Sequence, residues 1–342
     1  MPRGGTRFSS EELALVLSHY DIGAVKRTKP LSGGSRRAIK MVVISEQGKF
    51  LLKRRPKGKE DLNRVAFAHT VQTHLAQRGF PVTALMTTAD NKNTILQLNN
   101  HIYELYKFIT GVRYDGSAEA TIDAGLQLAK LHGHLADFTS QWQPQSGSFH
   151  DSSVVRRLLK TAGSEKSVRP NRKLQETAAV LMAFYNASAV RVNQLGFDSW
   201  SEQVVHGDWH PGNMLFSGGK LIAVLDFDAV RIAPRITDLA NGMLQFSIVA
   251  GRPNPADWPA HLDRGTLVQF LDGYREEIEL EKSELDCLLD LMVETMIAEA
   301  ILPIAATGLF EHLSGLEFLK MIRRKCEWID ENRNTLDEAI GT

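Results

Sequence analysis

Cysteine is scarce in this sequence, and no long hydrophobic run occurs in it. Only 2 of the 342 residues are cysteine, Cys287 and Cys326, which excludes a disulfide framework and a zinc site built from cysteines. The N-terminal segment reaches charged residues before any apolar stretch of signal-peptide length. The most apolar stretch, near residues 298–306, contains Glu299 and Pro303 and is too short to cross a bilayer. We therefore expect a cytoplasmic protein with no membrane partner.

An excess of charge of either sign is also absent. The 40 Lys and Arg residues equal the 40 Asp and Glu residues, and hydrophobic residues make up 43% of the chain. This balance argues against a disordered chain and against a protein that coats nucleic acid through bulk charge. At about 150 residues per domain, the length predicts two domains or lobes. The expected protein is globular, without a nucleic-acid partner, and its oligomeric state is left open.

Strand-like and helix-like patterns occupy different parts of the chain. After a helix that begins behind Ser9, strand-like runs occur at 25–29, 38–44, 50–53, 82–87, 94–98 and 101–108, with one helical pattern at 61–78. Helical spacing then dominates, at 118–138, 154–162, 173–196, 264–281, 283–308 and 316–333, apart from strand-like runs at 204–216 and 220–227. This order predicts an α+β protein, in which a small antiparallel sheet with one helix precedes a larger, mainly helical region.

Four polar residues flank a short apolar run in the second half of the chain. Asp208 and Asn213 lie in a loop whose Gly and Pro residues exclude an α-helix, and a predicted strand over 221–225 leads to Asp226 and Asp228. Because residues two apart on a strand point to one face, we expect both carboxylates on the same side. The oxygens of Asn213, Asp226 and Asp228 suit Mg2+, which takes one or two carboxylates and completes its shell with waters and phosphates. Asp208 then remains as a carboxylate base.

The spacing of these residues resembles a known family. An H-x-D-x-x-x-x-N pattern at His206–Asn213, followed by Asp226 thirteen residues later, resembles the catalytic and metal-binding loops of the protein-kinase-like fold. The H-G-D form, the D-F-D sequence and a D-L-A at Asp238 look like the aminoglycoside phosphotransferase and choline kinase superfamily. The segments LLKRR and LAQRGFPV look most like its homoserine-kinase-like and spore-coat-kinase-like branches. The order of elements agrees from about Ala24 to Leu336.

The resemblance implies a bilobal protein-kinase-like fold and an activity. A nucleotide-binding lobe would span residues 1–104, a hinge 105–110, and a catalytic, substrate-binding lobe 111–342. The cofactors would be ATP and Mg2+, and the γ-phosphate would pass to a hydroxyl group. Asp208 would be the base, and Asn213 and Asp226 would hold the metal, so that Asp208 and Asn213 form the catalytic pair. Asp228 is open between a second metal ligand and a carboxylate without that role.

The resemblance also implies a nucleotide site. Lys53 would contact the α- and β-phosphates, although a solvated basic run with its two arginine neighbours is the alternative. A short loop would cover the phosphates with backbone N–H groups, and the hinge would contact adenine. The loop residues are Ser32, Gly33 and Gly34, and the hinge residues are Glu104, Leu105 and Tyr106.

One position departs from the family pattern. The kinase-like fold pairs its strand lysine with a glutamate on the following helix, about sixteen residues after Lys53, but this chain has His69 near that point. His69 or Gln72 could orient Lys53 through a hydrogen bond, but neither carries a fixed negative charge. The sequence therefore predicts nucleotide binding more firmly than turnover.

Three functions compete, and a small-molecule kinase is favoured. Only twelve residues separate Asp226 from Asp238, which is too short for the peptide platform of an ordinary protein kinase. The alternatives are an atypical Ser/Thr protein kinase and a non-catalytic nucleotide-binding pseudokinase. The acceptor would be a small-molecule alcohol, amino alcohol or sugar. Glu294 and Glu299, on an apolar helix, could bind a cationic amine, or they could face the surface or be salt-bridged.

Overall fold

A computed structural model describes residues 7–31, 38–165, 167–249 and 253–341. The chain divides into two compact units. The first comprises the residues up to Tyr114 together with Asp137–Gln145 and Gly212–Val230. The second comprises Asp115–Ala136, Ser146–Pro211 and the residues from Arg231 onward. The lobe and hinge boundaries at residues 1–104, 105–110 and 111–342 stay a prediction.

The secondary structure follows the expected order, with strands concentrated early and helices late. The strands are β1 Val25–Pro30, β2 Ile39–Ser45, β3 Gly48–Arg54, β4 Leu96–Leu98, β5 His101–Lys107, β6 Gln145–Ser146, β7 Glu202–Val205, β8 Met214–Ser217, β9 Lys220–Val224, β10 Arg231–Pro234, β11 Leu309–Phe310 and β12 Leu313–Ser314. The helices are α1 Ser10–Leu17, α2 Leu62–Gln77, α3 Ala118–Leu135, α4 Ser153–Thr161, α5 Arg172–Gln194, α6 Ile236–Ser247, α7 Arg264–Arg275, α8 Lys282–Asp286, α9 Leu288–Thr307, α10 Gly315–Glu331 and α11 Arg333–Ile340. The α+β class is confirmed.

A five-stranded antiparallel sheet forms the frame of the first unit. Its strand order is β1-β2-β3-β5-β4. Apolar side chains of β2, β3 and β5 pack with α1 in one buried cluster that includes Val43, Leu52 and Leu105. The Asp61 side chain caps α2 by accepting a hydrogen bond from the amide of Arg64 at 3.1 Å. The sheet therefore places the central strands β3 and β5 beside each other in a buried environment.

Several predicted elements differ from the observed ones. Residues 82–87 form only single bridges, Val82 with Val224 and Leu85 with Tyr106, instead of a strand. The predicted helix over 283–308 is divided into α8 and α9, and the one over 316–333 ends before a separate α11. Helix α6 was not predicted, although its apolar residues recur at helical spacing and almost all of the helix is buried. No helix in the described ranges is long and apolar enough to span a bilayer.

Helices α3 and α7 of the second unit approach so closely that both need glycine at the contact. A Cβ on Gly125 would overlap the carbonyl oxygen of Phe270, and a Cβ on Gly273 would overlap the carbonyl oxygen of Ile122. Each glycine therefore faces the backbone of the other helix, which cannot move aside as a flexible side chain could.

We expect Gly273→Ala to lower the thermal unfolding midpoint by several degrees, because overpacking costs about 1–3 kcal/mol or more. Gly133→Ala on the same helix pair is the matched control, since nothing lies within 4 Å of its added Cβ. Alanine is the better helix former, so this control should hold or raise the midpoint. Equal midpoints for the two variants in differential scanning calorimetry would contradict the close-contact interpretation.

Candidate active site

Lys53 lies at the centre of a buried charge cluster in the first unit. It stands on β3 directly opposite Glu104 on β5, so both side chains share one face of the sheet. Its Nζ is 3.7 Å from Glu104 Oε2, 3.7 Å from Asp226 Oδ1 and 3.3 Å from Asp228 Oδ2. Lys53 is only 8% exposed, so these carboxylates act on it with little screening by water. The alternative of a solvated basic run does not fit this burial.

The carboxylates keep Lys53 charged. Burial alone would lower the pKa of Lys53, but the negative charges of Glu104, Asp226 and Asp228 outweigh it and raise the pKa. A lysine that remains an ammonium in a buried site is suited to a polyanionic ligand.

Asp228 is held by two cations. Its Oδ1 accepts a hydrogen bond from Arg55 Nη2 at 2.6 Å, and its Oδ2 accepts one from Lys53 Nζ at 3.3 Å. Burial would raise the pKa of Asp228, but the charges of Lys53 and Arg55 lower it. Both oxygens thus have cationic partners in the protein, and the metal role of Asp228 stays a prediction.

Asp226 and Asp228 were expected to continue a strand and to point to one of its faces, but neither lies on a strand. Strand β9 ends at Val224, Asp226 has a φ of 58°, and a 3-10 turn covers Phe227–Ala229. The two carboxylates therefore reach the Lys53 cluster through a turn rather than through the alternation of a strand. The left-handed backbone at Asp226 is uncommon for a residue other than glycine, and such backbone strain occurs often at functional sites.

Asn213 and Asp226 offer oxygen atoms for a divalent cation. The main-chain carbonyl of Asn213 accepts a hydrogen bond from the amide of Leu225 at 2.8 Å, which ties the two loops together. Asp226 Oδ1 is buried and, among the described residues, has no hydrogen-bond partner. Such an oxygen fits Mg2+, which needs few protein ligands when phosphates supply others. In the described ranges, no group of three or more His, Cys, Asp or Glu residues is arranged as a complete metal site.

The second unit positions Asp208 through a buried carboxylate on α6. Asp238 accepts hydrogen bonds from the amides of His206 at 2.6 Å and Gly207 at 2.8 Å. Burial would raise the pKa of Asp238, but its hydrogen bond and charge interaction with His132 lower it. Asp238 therefore remains an anion that fixes the backbone immediately before Asp208. The side chain of Asp208 is 41% exposed, so it is accessible to a ligand.

A second acidic residue lies in the environment of Asp208. Glu299 on α9 accepts hydrogen bonds from Asn241 Nδ2 at 2.8 Å and Gln245 Nε2 at 2.6 Å. Burial, reinforced by the charge of Asp208, raises the pKa of Glu299 to about 7. Glu299 thus changes charge near neutral pH, and the spacing of α9 gave no sign of this.

Glu294, the other acid on α9, has a different environment. Its carboxylate accepts a hydrogen bond from the amide of Asp151 at 3.0 Å and contacts His150 Nδ1 at 2.7 Å. Burial would lower the pKa of His150, but these interactions with Glu294 raise it. For Glu294 the structure therefore favours the salt-bridged alternative over amine binding. Its contacts anchor the loop before α4.

The predicted adenine-binding residues Glu104, Leu105 and Tyr106 lie on β5. The side chain of Glu104 turns into the Lys53 cluster. Leu105 is fully buried, and its carbonyl accepts a hydrogen bond from the amide of Met86 at 2.8 Å. Tyr106 lies opposite Leu51 in the sheet. Their adenine contacts stay predictions, and Ser32, Gly33 and Gly34 lie outside the described residues.

Sequence reasoning missed Arg55 and Lys40 as members of the Lys53 cluster, and it missed the contact of His69 with Glu104. Arg55 Nε donates to Glu104 Oε1 at 2.9 Å, and His69 Nε2 contacts the same oxygen at 2.6 Å. Lys40 lies opposite Lys53 across β2 and β3, and burial together with the charge of Lys53 lowers the pKa of Lys40. A correct prediction of the strand register would have placed Lys40 and Glu104 opposite Lys53. It would not have predicted the contact of His69 with Glu104.

Known proteins share this sequence pattern and fold. Residues 27–282 match APH, the phosphotransferase enzyme family. A homoserine kinase of Methylocella silvestris is 25% identical over 223 residues, which are 65% of this chain and 65% of that enzyme. A homoserine kinase of Bradyrhizobium diazoefficiens is 24% identical over 332 residues, which are 95% of this chain and 86% of that enzyme.

A solved structure with the same fold is that of the amicoumacin kinase hAmiN in complex with AMP-PNP, Ca2+ and Ami. It is 15% identical, with a TM-score of 0.70, and the match covers 94% of this chain and 93% of that one. The likeness confirms the predicted protein-kinase-like fold. Since the family match spans most of the chain and agrees with the motifs around Asp208 and Asp226, the protein belongs to the phosphotransferase enzyme family.

Proposed function

We propose that the protein transfers the γ-phosphate of ATP to a hydroxyl group of a small molecule, with Mg2+ as cofactor and Asp208 as the base. The observation that carries this proposal is Lys53, an ammonium buried among three carboxylates in a member of a phosphotransferase family. Burying a charge is costly even when it is paired, and such clusters of charged groups are concentrated at functional sites, so Lys53 is a candidate functional residue.

The mixed charges of the cluster suit a metal–nucleotide complex. Lys53 and Arg55 lie among Glu104, Asp226 and Asp228, and Lys59 Nζ is 3.9 Å from Asp228 Oδ2. The cations would attract phosphate oxygens, and the carboxylates would attract a divalent cation. Bound Mg2+ would offset charge on the phosphate oxygens. Asn213 and Asp226 would hold it, and Lys53 would contact the phosphates.

Asp208 would accept the proton of the attacking hydroxyl. The two backbone amides immediately before it are fixed by hydrogen bonds to Asp238, so the loop that carries the carboxylate would need little reorganisation during the reaction. Phosphoryl transfer asks the protein mainly for positioning and charge stabilisation, which suits this arrangement.

The acceptor that fits best is an alcohol that also carries an ammonium group. Glu299 shares the environment of Asp208, as the effect of the Asp208 charge on its pKa indicates, and two side-chain amides orient its carboxylate. A cation there would be stabilised by both acids. Homoserine, the substrate named for two relatives, is the first amino alcohol to test.

ADP release from Mg-ATP, measured across homoserine, other amino alcohols, sugars and aminoglycosides, tests the proposal. We expect one class to stimulate release, and Asp208→Asn to lower kcat by about 10²–10⁴-fold, the usual contribution of a positioned base. Mg-ATP affinity should be unchanged, because Asp208 does not hold the nucleotide. An Asp208→Asn enzyme that keeps a tenth of the wild-type rate, or transfer only to protein Ser or Thr, would refute the proposal.

The metal assignment has its own test. Asp226→Asn should raise the Mg2+ concentration for half-maximal rate by about 10–100-fold, because it removes a charged ligand. Asp90→Asn is the control, since that side chain is 81% exposed and should change nothing. An unchanged Mg2+ titration for Asp226→Asn would remove Asp226 from the metal site.

The pH dependence tests the role of Glu299. Its raised pKa of about 7 means that the carboxyl is neutral below that pH and negative above it. For a cationic acceptor, kcat/KM should therefore fall as the pH drops through about 7, and Glu299→Gln should raise the acceptor KM and abolish this step. A neutral sugar serves as the control acceptor, and the same step with that sugar would show that Glu299 does not recognise the ammonium.

A further inference from the structure

Glu104 occupies the functional place that the helix glutamate leaves empty in this chain. The kinase-like pattern requires a fixed negative partner for the strand lysine, and α2 supplies His69 instead. Glu104 comes from the neighbouring strand β5 and lies opposite Lys53 in the register of the sheet. It is fully buried, and its Oε2 is 3.7 Å from Lys53 Nζ.

The two oxygens of Glu104 have different partners. Oε1 accepts hydrogen bonds from Arg55 Nε at 2.9 Å and from His69 Nε2 at 2.6 Å. Oε2 is buried without a hydrogen-bond partner among the described residues and faces Lys53. The carboxylate is thus oriented through Oε1, while Oε2 is left for the lysine.

His69 connects α2 to this carboxylate. An ionised carboxylate can only accept hydrogen bonds, so His69 Nε2 donates to Glu104. The opposite ring nitrogen, Nδ1, lies 2.8 Å from Thr94 Oγ1. His69 is 4% exposed, and each of its ring nitrogens has a protein partner. A displacement of α2 would therefore change the orientation of Glu104.

We infer that Glu104 is the positioning residue for Lys53 and that His69 transmits the position of α2 to it. This inference rests on the proposed function, in which Lys53 contacts the nucleotide phosphates. The helix acts on the lysine indirectly, through an imidazole and a strand carboxylate, instead of through a carboxylate of its own. In this inference the side chains of Glu104 and His69 act on the nucleotide only through Lys53.

Two buried side chains of α2 provide a matched comparison. His69 and Gln72 are both 4% exposed and both make a hydrogen bond, but Gln72 Nε2 donates to the carbonyl of Thr83 at 2.7 Å, away from Lys53. Replacing either by leucine removes a buried hydrogen bond from the same helix. Only His69→Leu removes one from Glu104.

The experiment measures Mg-ATP affinity by calorimetry, kcat and ATP KM by ADP release, and the thermal midpoint. We expect Glu104→Gln to weaken Mg-ATP binding by about tenfold or more, since a charge-assisted interaction is lost. His69→Leu should weaken it several-fold, His69→Gln should restore part of the loss, and Gln72→Leu should lower only the thermal midpoint. The Glu104→Gln/His69→Leu double variant should bind no worse than Glu104→Gln, because His69 acts through Glu104.

Equal changes in ATP affinity for His69→Leu and Gln72→Leu, or full affinity in Glu104→Gln, would overturn the inference. Calorimetry needs no acceptor, so the inference is tested even if no acceptor is found. If the wild type binds no Mg-ATP, the proposed function fails, and crystal structures of the wild type and His69→Leu decide the inference. A displaced Lys53 would support it, and an unmoved Lys53 would refute it.

Discussion

The contact between Lys53 and Glu104 is the constraint on which the candidate nucleotide site depends. It requires β3 and β5 to be neighbours in one register, because a shift by one residue would turn one side chain to the opposite face. It also requires the surrounding cations, since a buried carboxylate without partners would protonate. The pKa of Glu104 is held well below its usual range: burial opposes this shift, and the charge of Lys53, the hydrogen bond from His69 and the charge of Arg55 outweigh burial. The sheet thus maintains charge where a ligand needs it.

The second unit also keeps a buried carboxylate charged by giving it partners. Asp238 is buried and negative, and it accepts hydrogen bonds from the backbone immediately before Asp208. His132 contacts it from α3 and also contacts the hydroxyl of Tyr274 on α7 at 2.8 Å. The close approach of α3 and α7 therefore bears on the position of the loop that carries Asp208. Buried polar groups of this kind contribute less to stability than to one defined arrangement.

Much of the fold and part of the site could be predicted from the sequence. The α+β class and the strand-then-helix order follow from hydrophobic periods, which a chain must keep to bury one face of each element. Helix α6 was missed although its apolar residues recur at helical spacing, so the sequence did contain a signal for it: Ile236, Leu239, Ala240, Met243 and Leu244. The turn at Asp226 was missed because a left-handed residue other than glycine has little local signal. Apolar residues at 82–87 looked like a strand, but they meet the sheet only at single bridges.

The sequence by itself determined which chemical groups are available: a lysine on an early strand, an H-x-D-x-x-x-x-N loop and carboxylates after the next strand. These groups can be recognised from residue identity and from short spacings along the chain, both of which the sequence states directly. Only the tertiary structure decided that Glu104 faces Lys53 and that His69 contacts Glu104. The same holds for Glu299, whose pKa depends on its burial and on Asp208. Such properties arise from distances between residues far apart in the chain, and electrostatic energy depends on those distances and on burial, which no local pattern contains.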